Sequence, residues 1–168
     1  ADTPNIDKLV EDGSIANLEK DSITQVATFK EASPNPTVGA ATTGGYVLGS
    51  TGAIVNITSN SGSSSTITSS TGANPTIVGS LPQGVKNIFP DKYWTVTNPD
   101  LTGTYDLILD LTPISGIEDF NSLKVLKRHD ASSLWQDVST INGVTVKHLE
   151  PFVLISGLTS FSDFAVAN

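Results

Sequence analysis

The sequence predicts an all-β fold, an antiparallel sandwich or barrel. Three observations carry that prediction. Short runs of alternating apolar and polar residues recur along the chain. Turn signals separate them about every eight to twelve residues. About a quarter of the 168 residues are Ser or Thr, a composition suited to strands and turns.

Residues 1–36 differ from the rest and read as an N-terminal extended arm. They hold many of the charges, among them Asp7, Lys8, Glu11, Asp12, Glu19, Lys20, Asp21, Lys30 and Glu31. Asn5 can cap a short helical turn over 5–12 that sets Ile6, Leu9 and Val10 on one side, and Gly13 stops it. Residues 22–29 read as a strand, and Pro34 and Pro36 end it. The sandwich proper is expected over 37–168.

Residues 39–81 are rich in Gly, Ser and Thr, yet their apolar residues are too regular for a linker. Strands are expected at 46–48 and 53–58, around the turn Gly49-Ser50-Thr51-Gly52. Thin strands at 64–68 and 76–78 suit a sheet edge or a one-sided sheet. In 92–97, alternation places Trp94 and Val96 on one face. In 104–111, Tyr105, Leu107, Leu109 and Leu111 face inward and Asp106 and Asp110 outward. Further strands are expected at 123–128, 134–138, 152–156 and 162–167. The loop 129–133 suggests one hairpin, and Asn142-Gly143 a second between 138–141 and 144–149. A helical turn is allowed at 117–121.

Composition excludes several function classes. Without Cys there is no disulfide, thiolate chemistry or Cys-ligated zinc. A net charge of −8 makes nucleic acid a poor partner, because binding it needs a cationic footprint. No apolar run reaches the ~18 residues that membrane insertion requires. The start Ala1-Asp2-Thr3-Pro4 fits a mature end left by cleavage at a small-residue site, and with the low charge density it predicts export.

No residue set singles out a catalytic centre. His129 lies in a charged turn and His148 in a strand of mixed polarity, and both read as surface histidines. Paired carboxylates hydrolyse glycosides, and Asp91, Asp106, Asp110, Glu118, Asp119 and Asp137 are candidates. An acidic protein supplies such pairs anyway. Asn98-Pro99-Asp100 and 118–121 offer oxygen donors without a calcium-loop pattern, so no metal or cofactor is expected. A glycan platform needs exposed aromatic rings, for which Tyr46, Tyr93 and Trp135 qualify. Tyr93 and Trp135 are the pair to test against a polysaccharide, and Trp135 is expected near the outer face. Trp94 belongs to the core.

In the C-terminal half, 91–96, 123–126, 135–138 and the closing run Gly157-Leu158-Thr159-Ser160-Phe161-Ser162-Asp163-Phe164-Ala165 are familiar as a set. They resemble the β-sandwich modules of secreted and surface proteins of the Bacteroidota/Chlorobiota kind. The resemblance covers about 81–168. It implies an immunoglobulin-like sandwich, export to the bacterial cell surface or beyond, and a structural or adhesive role. It brings no catalytic motif.

A one-domain sandwich with a distinct arm also resembles subunits that polymerise by lending a strand to a neighbour. Here Ile15, Leu18, Ile23, Val26 and Phe29 would form the self-assembly arm, and the chain's partner would be itself; the alternative is that this segment completes the sheet of its own domain. A head-to-tail contact of that sort grows a filament. The expectation is therefore a secreted, non-enzymatic structural protein, with a carbohydrate-binding or adhesion module as the alternative.

Overall fold

A computed structural model describes residues 35–49 and 51–168. The expected helical turn at 5–12, the strand at 22–29 and the arm residues Ile15, Leu18, Ile23, Val26 and Phe29 lie outside the described residues.

The chain is an antiparallel β-sandwich. Its strands are β1 (Thr37–Val38), β2 (Gly44–Val47), β3 (Ala53–Asn60), β4 (Ser65–Thr66), β5 (Thr68–Gly72) and β6 (Tyr93–Thr97). They continue with β7 (Gly103–Asp110), β8 (Lys124–Arg128), β9 (Gln136–Asp137), β10 (Thr145–Leu149), β11 (Phe152–Leu158) and β12 (Ser162–Ala167). One sheet runs β10-β11-β7-β3-β2 and the other β5-β6-β12-β8-β9, with β1 and β4 as a small separate pair.

Alternation decides what enters the core. The first sheet sends in Tyr46, Val55, Ile57, Tyr105, Leu107, Leu109, Val153 and Ile155. The second sends in Trp94, Val96, Val125, Phe164 and Val166, and all join one buried cluster. Trp94 Nε1 donates to Thr51 O at 2.8 Å, so the largest core ring keeps its polar atom paired.

Both outer faces also carry apolar residues. On the second sheet, Leu126, Trp135, Ala165 and Ala167 are buried beneath Leu81, Val85 and Ile88 of the loop 73–92. Backbone bonds fasten that loop: Phe89 N to Val166 O at 2.9 Å, Lys86 N to Asn168 O at 2.8 Å and Asn168 N to Asn87 O at 3.0 Å. On the first sheet, the register sets Val47 beside Ile54, Ile54 beside Ile108, and Ile108 beside Leu154. This row spans four strands on the face turned away from the core, and its members are 2, 2, 3 and 6% exposed.

Two local expectations are corrected. Residues 76–78 form no strand. The Thr76 carbonyl instead accepts from Arg128 Nη1 at 2.7 Å and Trp135 Nε1 at 2.9 Å, so side chains bond it where a ladder would. Asn142-Gly143 does not join two strands. Val138–Thr140 is a 3-10 turn capped by the Asp137 carboxylate, and β10 pairs with β11. The helical turn foreseen at 117–121 appears as a 3-10 turn at Phe120–Ser122, with Asp119 as its cap.

Candidate functional site

The acidic candidates are mostly engaged in fastening turns. Asp91 accepts from Ser115 N at 3.0 Å and Ser115 Oγ at 2.8 Å, which holds its carboxyl below the usual range. Asp110 caps Thr112 through its N and Oγ1, at 3.0 and 2.6 Å. Asp119 accepts from Asn121 N at 3.2 Å. Asp137 accepts from Ser139 N and Oγ at 2.9 and 2.7 Å, and lies 3.6 Å from Lys124 Nζ. Asp106 is half-buried on the outer face of β7, where desolvation raises its pKa against the bond from Gly157 N at 3.3 Å. Glu118 is exposed. Short local bonds of this kind are Asx-turn chemistry. Among the described residues, no three His, Cys, Asp or Glu side chains gather to hold a metal ion.

The histidines part company. His129 is exposed, with Nε2 3.9 Å from Asp130 Oδ2. His148 is half-buried: its Nε2 lies 2.7 Å from Leu123 O and its ring meets Phe120 edge-on at 6.2 Å. It lines a cleft of about 470 Å³ beside Lys124, Asp137, Ser139 and Thr145. The arrangement fixes the imidazole to a backbone carbonyl, and among the described residues no nucleophile is hydrogen-bonded to it.

Trp135 does lie on the outer side of its sheet, but under cover and only 3% exposed. The Arg128 guanidinium stands 4.3 Å from its ring centre and 5.9 Å from that of Tyr93. The edge of the Tyr93 ring also crowds Gly72, where an added Cβ would come within 2.7 Å. These aromatic groups therefore spend their area on the protein. Tyr46, the third aromatic candidate, is buried in the core.

Beside Trp135 opens a shallow cleft of about 500 Å³, lined by Pro82, Gln83, Leu134, Gln136 and Thr140. Leu134, at its mouth, is 58% exposed. Across from it, Ile77 and Val78 are also exposed, and Gly79 packs against the Leu134 side chain.

The sheet edges are the other candidate contact surface. β9 is two residues long, β2 begins with two glycines, and β10 carries Lys147. β5 is five residues of Thr, Ser and Gly without a charge, exposed along most of its length. Its inner side pairs with β6 from Thr68 opposite Thr97 to Gly72 opposite Tyr93. Ser69 N turns the other way, to Asn35 Oδ1 at 3.3 Å. Backbone direction alternates along a strand, so Thr71 N also points off the sheet. The thin Ser/Thr run in the sequence signalled an edge; what it did not signal is that Asn35 would bond that edge at Ser69 N.

No family model, curated protein or solved structure matches this chain. No helix among the described residues is long and apolar enough to cross a membrane.

Proposed function

We propose that this chain is a secreted structural subunit without enzymatic activity, which assembles on the bacterial surface or outside the cell by β-strand pairing. The observation that supports the reading is the β5 edge. Exposed edge strands are ordinarily guarded by Lys, Pro or a bulge, because their free backbone groups template further pairing. Thr68–Gly72 carries no Lys or Pro, although Asn35 Oδ1 already bonds its outer side at Ser69 N, whereas β10 at the opposite end of the other sheet carries Lys147. An extended segment of a neighbouring copy would gain a ladder of backbone bonds along β5. A contact between unlike surfaces repeats without closing and yields a filament.

Negative-stain electron microscopy of the full-length chain tests this reading, with Thr71→Pro as the variant. Proline is tolerated on an edge strand where the lost N–H points off the sheet, so the bonds to β6 survive. Ordered polymers are expected from the native chain and monomers from the variant, with matching circular dichroism. Polymers of the same length from both would remove β5 as the contact. A native chain that stays monomeric at high concentration would remove the assembly role.

A further inference from the structure

We infer that Asn142 is a site of self-catalysed covalent modification. Its side-chain amide is lost to the Gly143 nitrogen through a succinimide, which leaves aspartate or isoaspartate, and the isoaspartate form releases the turn that leads into β10. The inference concerns single molecules and is independent of assembly at β5.

The chemistry is intramolecular. The Gly143 nitrogen loses its proton to hydroxide and attacks the Asn142 Cγ, forming a new C–N bond. The bond from Cγ to the amide nitrogen breaks, and that nitrogen takes a proton from water and leaves as ammonia. Water then opens the ring. Attack at Cγ gives aspartate, and attack at the main-chain carbonyl of Asn142 gives isoaspartate. The net change takes up water and releases ammonia, with no oxidant or reductant.

The reaction needs an attacking N–H that is not hydrogen-bonded, a side-chain amide free to turn toward it, and room for the ring. The turn from Ile141 to Val144 meets all three needs. Val144 N donates to Ile141 O at 3.1 Å, a bond that uses neither reacting group. Asn142 and Gly143 are both exposed. Among the described residues, nothing bonds the Gly143 N–H or the Asn142 side chain. Gly143 has a φ of +84° and no atom within 4 Å of its Cβ position, so the ring and the entering water meet no obstacle.

The rival asparagines are held. Asn60 Oδ1 accepts from Gly62 N at 2.8 Å and its Nδ2 donates to Thr42 O at 3.1 Å. The nitrogen that follows it, Ser61 N, donates to Thr102 O at 2.7 Å. Ser122 N, which follows Asn121, donates to Asp119 O at 3.2 Å. Asn35, Asn74 and Asn98 precede proline, whose nitrogen carries no hydrogen. Asn56 and Asn87 precede Ile, whose branched side chain crowds the attack.

Isoaspartate carries the main chain through its own methylene. The span from Ile141 O to Val144 N lengthens, and the bond between them opens. Val144 is a core residue only 8% exposed, and Gly143 O lies against the β11 bulge, 2.3 Å from where a Cβ on Gly157 would stand. The altered turn therefore loosens the entry to β10.

The full chain is kept in mildly alkaline heavy-oxygen water, folded and in guanidinium chloride, and its tryptic peptides, including 129–147, are sequenced by mass spectrometry. The label is expected at position 142, entering the folded chain within about threefold of the denatured rate, because no local opening has to come first. At Asn60 and Asn121, folding is expected to slow the label about tenfold or more, since Ser61 N and Ser122 N must first be released. Folding that protects Asn142 by about tenfold would overturn the inference. So would faster labelling of Asn60 or Asn121 than of Asn142 in the folded chain. The isoaspartate form, separated by chromatography, is then compared with Asn142→Asp, which has the same charge and an ordinary main chain. Amide exchange at Val144 is expected to be about tenfold faster in the isoaspartate form. Equal exchange in the two would overturn the release of the turn.

Discussion

Arg128 Nε donates to Asp163 Oδ2 at 2.9 Å, from opposite positions on the adjacent strands β8 and β12. Both side chains are buried, and the remaining bonds complete the set: Asp163 Oδ1 accepts from Thr95 Oγ1 at 2.8 Å and Arg128 Nη1 donates to Thr76 O at 2.7 Å. Removing one member strands the other charge inside the fold. Arg128→Met is therefore expected to cost about 3–5 kcal/mol. Adding Asp163→Val should recover part of that loss, as urea denaturation of the two singles and the double will show. Arg128→Met should also speed proteolysis in the loop 73–92, whose Thr76 it holds. Strictly additive losses would mean that the pair is not coupled.

Tyr105 is the second polar tie of the core. Its ring is fully buried and stacks on Phe161 at 4.1 Å, while its hydroxyl donates to Ser160 O at 2.6 Å. Tyr105→Phe keeps the stacking and removes only the hydrogen bond. A loss of about 1 kcal/mol is expected, or about 2–4 °C in Tm for a chain of this size. Calorimetry that shows no change would place the strength of this corner in the ring alone.

The alternation of 92–97 and 104–111 made the core legible, because one side chain in two had to leave water. The same rule hid the outer faces. Asp106 and Asp110 marked the far side of β7 as wet, yet Ile108 stands between them and is buried. A signal was present: Ile54-Val55, Leu107-Ile108-Leu109 and Phe152-Val153-Leu154-Ile155 are continuous apolar runs, the pattern of strands covered on both faces. Trp135 was placed on the correct face, but its burial went unread for a related reason. Its side of the sheet was readable, but its cover comes from 73–92, a loop whose docking depends on Arg128 and Thr76 far apart in sequence. The Asn142-Gly143 hairpin failed because the Asp137 carboxylate caps Ser139 N, a local bond that wins over strand pairing.

Gly157 sits where β11 slips its register against β7, at φ +87°, and a Cβ there would lie 2.3 Å from Gly143 O. Gly143 has a similar φ of +84° but nothing within 4 Å of its Cβ position. The two positions separate backbone strain from collision. Gly143→Ala should cost about 1–2 kcal/mol, the penalty of the left-handed region alone. Gly157→Ala should cost more, about 3 kcal/mol, because the β11 bulge must also shift. Equal losses in denaturant titrations would show that the bulge gives way freely.

Asp106 carries a pH dependence of known sign. Desolvation raises its folded pKa above the ordinary 3.8, so folding disfavours its charged form. Its contribution is most favourable below pH 3.8 and is lost as pH rises through the folded value. Asp106→Asn keeps an acceptor for Gly157 N and carries no charge. The variant should match the native chain near pH ~3 and exceed it in Tm near pH ~7. Asp91 and Asp130 work the other way, since hydrogen bonds from Ser115 and from Ser132 and Ser133 hold them below 3.8. Their contribution appears above 3.8 and is lost as pH falls through their lowered values, but it is common to both proteins and cancels in the difference. A Tm gap that does not change with pH would show that Asp106 is not titrating.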